Sequence, residues 1–123
     1  MEIITTQNAP QAIGPYSQAI KANGMLYTSG QIGLTPQGEL QGDISTQTKQ
    51  VLNNLKEVLK AGNSSMDKVI KTTIFLSNMD DFGIVNAIYA EFFGEHKPAR
   101  STIGVKTLPK NALVEIECIA LVD

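Results

Sequence analysis

Two side chains in this sequence are of a type and in a setting that chemistry can use. Arg100 follows Pro98-Ala99 at the start of a β-branched stretch, where a long side chain can project from the rim of a sheet into a cleft. Its planar guanidinium grips a carboxylate through two parallel hydrogen bonds. For an arginine taken alone, a surface ion pair is the ordinary alternative. Glu115 stands between Val114 and Ile116. A carboxylate among apolar neighbours is either a buried ion-pair partner or an acid/base with a shifted pKa. Residue type alone reads Tyr16 as a hairpin-packing aromatic and Ser29-Gly30-Gln31 as a strand exit. Asn86, inside an apolar helical stripe, faces either solvent or a site.

Other chemistries lack their residues. There is no Gly-rich phosphate loop ahead of a helix, no paired-cysteine spacing and no histidine pair for a metal. His96, the one histidine, follows a helix in a charged loop and reads as a solvated residue or a cation near that helix C-terminus. Cys118 alternates with Glu117 and Ile119 on a strand and reads as core packing. A single cysteine forms no internal disulfide, no secretory leader is apparent, and no apolar run nears the roughly 20 residues that span a bilayer. A soluble cytoplasmic protein is expected. Ten Lys and Arg residues are scattered under a net charge of −2, which disfavours nucleic acid as a partner. With 123 residues, 42% apolar and 18% charged, one domain over residues 1–123 is expected.

The elements that must position these residues are legible from periodicity. A short β-branched run over Met1–Thr6 gives way to a loop through Gly14-Pro15. Strands over Ser17–Lys21 and Met25–Thr28 flank Asn23-Gly24, a type I′ hairpin signal. Gly33–Gly42 reads as a loop, and Asp43 as the N-cap of a helix whose Ile44, Val51, Leu52, Leu55, Val58 and Leu59 form one stripe before a stop at Gly62. Val69–Leu76 is a strand, with Ile70, Thr72, Ile74 and Leu76 expected on one face. Asp80 or Asp81 should cap a second helix that ends near Gly94. Strands over Ser101–Thr107 and Leu113–Val122 close the chain around a Leu108–Asn111 turn. This order predicts an α+β fold, a mixed sheet with two helices on one face. On the last strand Val114, Ile116, Cys118, Ala120 and Val122 should meet the helices. The other side, with Leu113, Glu115, Glu117, Ile119 and Leu121, is then half apolar and should associate with another copy.

Several segments, in order and nearly end to end, resemble the Rid (YjgF) family. They are Ala12–Gln18 (AIGPYSQ), Thr28–Ile32 (TSGQI), Val85-Asn86, Lys97–Ser101 (KPARS), Leu108-Pro109 and Val114–Glu117 (VEIE). The resemblance implies a chorismate-mutase-like α+β fold, assembled as a homotrimer with clefts between subunits for small 2-oxo and 2-imino acids. It gives Arg100 the substrate carboxylate and Glu115 the hydrolytic water. Tyr16, Ser29, Gly30 and Asn86 fall at positions that line or support that cleft. Many members carry Cys two residues after the Arg. Here Thr102 offers a hydroxyl to the substrate instead and excludes thiol modification.

The activity implied is hydrolysis of reactive 2-imino acids, such as 2-iminobutanoate and 2-iminopropanoate, to 2-oxo acids and ammonia. A protonated imine is already electrophilic, so neither metal nor organic cofactor is demanded. The competing expectation is a non-catalytic 2-oxo acid binding or regulatory module in the same cleft. Ribonuclease activity, ascribed to some relatives, is disfavoured by the acidic balance.

Overall fold

In the computed structural model, which describes residues 1–122, the chain forms one seven-stranded sheet with two helices packed on one side. Strand β1 (Glu2–Ile4) pairs antiparallel with β2 (Ala19–Ala22), which turns into β3 (Met25–Thr28). Asn23 at φ 53° and Gly24 at φ 75° adopt the two left-handed conformations that the hairpin signal requires. Beyond β3 the two-residue β4 (Gln31–Ile32) continues along β7 (Val114–Leu121). Its brevity hid it in the sequence. Strand β5 (Val69–Leu76) lies between β7, antiparallel, and β6 (Ala99–Gly104), parallel, so the path is β1-β2-β3-β7-β5-β6.

Helix α1 (Ile44–Ala61) begins as expected at Asp43, whose carboxylate accepts from Thr46 N at 2.8 Å while Thr46 Oγ1 accepts from Asp43 N at 3.2 Å. It buries Val51, Leu52, Leu55, Val58 and Leu59. Gly62 ends it for a different reason from the one expected. Its φ is −91°, and the left-handed residue is Asn63 at φ 61°. A Cβ at Gly62 would come within 2.8 Å of the Leu26 side chain, so close packing rather than chirality requires glycine here.

Strand β5 corrects another expectation. A β-bulge between Val69 and Lys71 turns Val69 into the core and leaves Ile70 exposed, so Ile70 does not share a face with Thr72, Ile74 and Leu76. Helix α2 (Phe82–Phe93) is preceded by a 3₁₀ turn over Met79–Asp81. Asp81, already at φ −82° and ψ −3°, makes no side-chain cap, because capping needs extended backbone at that position. Asn78 caps the 3₁₀ turn instead, accepting from Asp80 N at 2.9 Å. Strand β6 runs from Ala99 to Gly104 rather than from Ser101 to Thr107, since its partner β5 ends at Leu76.

The final strand alternates as expected, with Val114, Ile116, Cys118 and Ala120 buried under the helices. Register places Ile3, Ile20, Tyr27 and Ile119 in one row on the opposite face. No helix of the described chain covers that face. Ile3 is 62%, Tyr27 46%, Leu121 48% and Ile103 45% exposed.

Candidate functional site

The two chemically suggestive residues sit on opposite faces of the sheet. Arg100 pairs in register with Thr72, and Thr72 with Cys118, a row under the helices. Glu115 pairs with Phe75, and Phe75 with Ile103, a row on the uncovered face. Each residue lines its own cleft.

The Glu115 cleft, about 650 Å³, lies where the loop before β2 meets the exit of β3 and the start of β7. Tyr16, Ser29 and Gly30 line it with Glu115, as does Glu117, two residues along the same face of β7. Gly14 at φ +135° allows a tight turn in which Tyr16 N donates to Gly14 O at 2.9 Å. That turn leaves Tyr16 half exposed at the cleft wall rather than packed in the hairpin. Gln18 holds the loop down. Its Oε1 accepts from Thr6 N at 2.7 Å, and its Nε2 donates to Thr6 O at 3.1 Å and Pro10 O at 2.7 Å. Ser29 donates its hydroxyl proton to Ser17 O, which leaves it an acceptor toward the cleft. Gly30 makes room for the Glu115 carboxylate, which a Cβ there would overlap.

Glu115 is half-buried, and desolvation followed by the neighbouring charge of Glu117 raises its pKa above the ordinary value of 4.5. Among the described residues, none donates a hydrogen bond to its carboxylate. Among the described residues it has no ion-pair partner, so of the two readings the acid/base one is the one left open. Lys110, at φ 56° in the turn before β7, joins the same cleft. Sequence reasoning missed Lys110 because nothing in Leu108–Asn111 beyond turn residues marked it.

The Arg100 cleft, about 470 Å³, lies between the C-terminal half of α2 and the start of β6. Arg100 Nη1 donates to Asn86 Oδ1 at 2.7 Å, so Asn86, though exposed, is turned to this site. The guanidinium carbon lies 4.9 Å from the Tyr89 ring centre and 5.6 Å from that of Phe82. Among the described residues no carboxylate pairs with Arg100, leaving much of its donor fork unspent. The surface ion pair is thus not formed among the described residues. Thr102 lines neither cleft, but follows Arg100 on the same face of β6, and its Oγ1 is buried without a hydrogen-bond partner.

The remaining candidates are structural. Burial pushes the Cys118 thiol up to about 12, and its backbone N donates to Thr28 Oγ1 at 3.0 Å, so it packs rather than reacts. His96 is neither solvated nor simply a helix-end cation. Its Nε2 lies 2.6 Å from Val69 O and ties the end of α2 to the bulge of β5. Among the described residues no three His, Cys, Asp or Glu side chains converge as metal ligands would. No helix is long and apolar enough to cross a membrane.

A family model described as Endoribonuclease L-PSP matches residues 6–122. A RutC family protein of Pyrococcus horikoshii is 54% identical over 121 residues, 97% of this chain and 96% of that protein. Reactive Intermediate Deaminase A, chloroplastic, of Arabidopsis thaliana is 50% identical over 121 residues, 97% of this chain and 65% of that protein. Among solved structures, E. coli TdcF with bound serine superposes with a TM-score of 0.96 at 42% identity, covering 100% of both chains. Yeast Mmf1 does so with a TM-score of 0.97 at 45% identity, covering 99% of this chain and 98% of that one.

Proposed function

The chain belongs to the Rid (YjgF) family, and from that premise we propose that it hydrolyses small 2-imino acids, 2-iminobutanoate and 2-iminopropanoate among them, to 2-oxo acids and ammonia. The observation that carries the reading is the separation of Arg100 and Glu115 on opposite faces of one sheet. A substrate small enough to need both can reach both only where two copies meet. The uncovered apolar face supplies a surface for such a meeting, and a homotrimer with three intersubunit sites satisfies it.

In this reading Arg100, with Asn86 holding one nitrogen, receives the substrate carboxylate. Two charge-assisted hydrogen bonds contribute roughly 1.5–3 kcal/mol each. Glu115 of the adjoining copy takes a proton from water as the oxygen adds to the iminium carbon, giving a carbinolamine. Return of that proton to nitrogen makes ammonia the leaving group, and as the C–N bond breaks the hydroxyl proton passes to the Glu115 carboxylate, leaving the 2-oxo acid. A positioned base of this kind is worth about 10²–10⁴-fold. Its raised pKa brings Glu115 nearer the proton affinity such a shuttle needs. Tyr16 and the Ser29-Gly30 backbone wall the cleft, while Thr102, whose hydroxyl is buried and lines neither cleft, lies beside Arg100 on β6. The mechanism needs no metal or organic cofactor, because protonation of the imine nitrogen already activates the carbon.

The name Endoribonuclease L-PSP, attached to the family model, raises a second activity. A cleft holding Glu115 and Glu117 against a single Lys110 suits a polyanion poorly, and His96, the usual kind of proton shuttle, is tied to Val69 O.

The test couples an amino-acid dehydratase, which releases the imine, to lactate dehydrogenase, which reports the 2-oxo acid. The protein should accelerate 2-oxo acid formation, and Arg100→Ala and Glu115→Gln should each remove about 10²–10⁴-fold of the effect. No acceleration by folded wild-type protein with either threonine- or serine-derived imine would sink the deaminase reading.

A further inference from the structure

We propose that Tyr89 is a positioning residue for Arg100, its ring locked to the sheet by Thr72 so that the guanidinium is laid out before a carboxylate arrives. The inference rests on the carboxylate-binding role given to Arg100 above. The partner of Arg100 in the β5–β6 register is Thr72, which is fully buried, and the Thr72 and Tyr89 hydroxyls lie 2.7 Å apart. The bond therefore anchors the ring at the sheet position beside Arg100 itself, not merely to its own helix. Phe93 packs against the ring, with centroids 4.5 Å apart. The guanidinium then rests on the ring at 4.9 Å while Asn86 holds Nη1 at 2.7 Å.

Packing alone would be served by phenylalanine. A hydroxyl turned inward to a buried threonine has a second use, which is to stop the ring from sliding along the sheet edge. Burial raises the phenol pKa and keeps the hydroxyl protonated as a hydrogen-bonding group. An arginine already laid on a fixed aromatic surface has fewer rotamers to lose when it binds, so the effect should appear as affinity.

The experiment measures binding of 2-oxobutanoate, a stable 2-oxo acid, by ligand-observed NMR, alongside imine hydrolysis and thermal melting. The proteins are wild type, Tyr89→Leu, Tyr89→Phe, Thr72→Val, Arg100→Ala and the Tyr89→Leu/Arg100→Ala double variant. Tyr89→Leu should weaken binding roughly five- to twentyfold and raise KM with kcat little changed. Tyr89→Phe and Thr72→Val, which keep the ring and remove the anchor, should each weaken binding about threefold. Adding Tyr89→Leu to Arg100→Ala should cost nothing further, the signature of one residue acting through another.

Loss of melting temperature with unchanged affinity would overturn the inference, as would an equal loss of affinity with and without Arg100. Should Tyr89→Leu not fold, unchanged affinity in both anchor variants overturns it and threefold weakening in both upholds it. Binding by a wild type that does not hydrolyse imines would sink the deaminase reading alone, since the Tyr89 comparison is still read in binding. A wild type that binds no 2-oxo acid would sink both.

Discussion

Gly30 leaves open the space that the Glu115 carboxylate occupies. Because a Cβ at Gly30 would overlap the carboxylate, Gly30→Ala should displace Glu115 and lower deamination at least tenfold while circular dichroism shows the fold intact. The raised pKa of Glu115 has two consequences of defined sign. As a base it must be ionised, so kcat/KM should rise with pH through an inflection above the ordinary value of 4.5. Glu117→Gln removes the like charge and should shift that inflection downward in a pH–rate profile. For stability the sign is opposite. The folded protein holds this proton more tightly than the unfolded chain, so the Glu115 contribution declines as pH rises from the ordinary value through the raised one. Arg100 and Glu115 were legible as residue types. Their freedom from ion pairs was not, because it depends on which carboxylates and cations the fold brings near. The places of Lys110 at the Glu115 cleft and of Tyr89 under Arg100 were invisible for the same reason: a turn lysine and a helix tyrosine acquire meaning only from what they face.

At the scale of elements, periodicity sufficed where one residue pattern had one physical cause. The α1 stripe, the Asp43 cap, the Asn23-Gly24 turn and the alternation of β7 all emerged as the spacing predicts. It failed where an extra residue broke the period, as at the Val69–Lys71 bulge, and where a strand was too short to alternate, as at β4. What joins α1 to the start of the functional strand was also hidden. Buried Gln47 accepts from Leu113 N at 2.9 Å through Oε1 and donates from Nε2 to Gln41 O at 2.8 Å. It thus ties the helix to the residue just before β7 and to the loop after β4. Gln47→Leu strands both backbone groups, and urea unfolding should show a loss of roughly 2–4 kcal/mol. Deaminase activity should fall with it at temperatures where wild type is unaffected, since Glu115 stands two residues beyond Leu113.

For the whole molecule, the sheet has one face sealed by helices and one left uncovered, and Arg100 and Glu115 are divided between them. The α+β layering could be read from the order of elements, and the half-apolar side of β7 from its alternation. The separation of Arg100 from Glu115 could not, because it follows from the parallel placement of β6 beyond β5, which turns Arg100 toward α2 while Glu115 faces away. The central claim is that Arg100 of one copy works with Glu115 of another, and mixing two inactive variants tests it most directly. Arg100→Ala and Glu115→Gln proteins, each assayed alone and then unfolded and refolded together, should regain about a quarter of wild-type deaminase activity when copies assort at random in a ring of heterologous interfaces. Mixed assemblies that form, as native mass spectrometry would record, yet stay as inactive as their parents would contradict it.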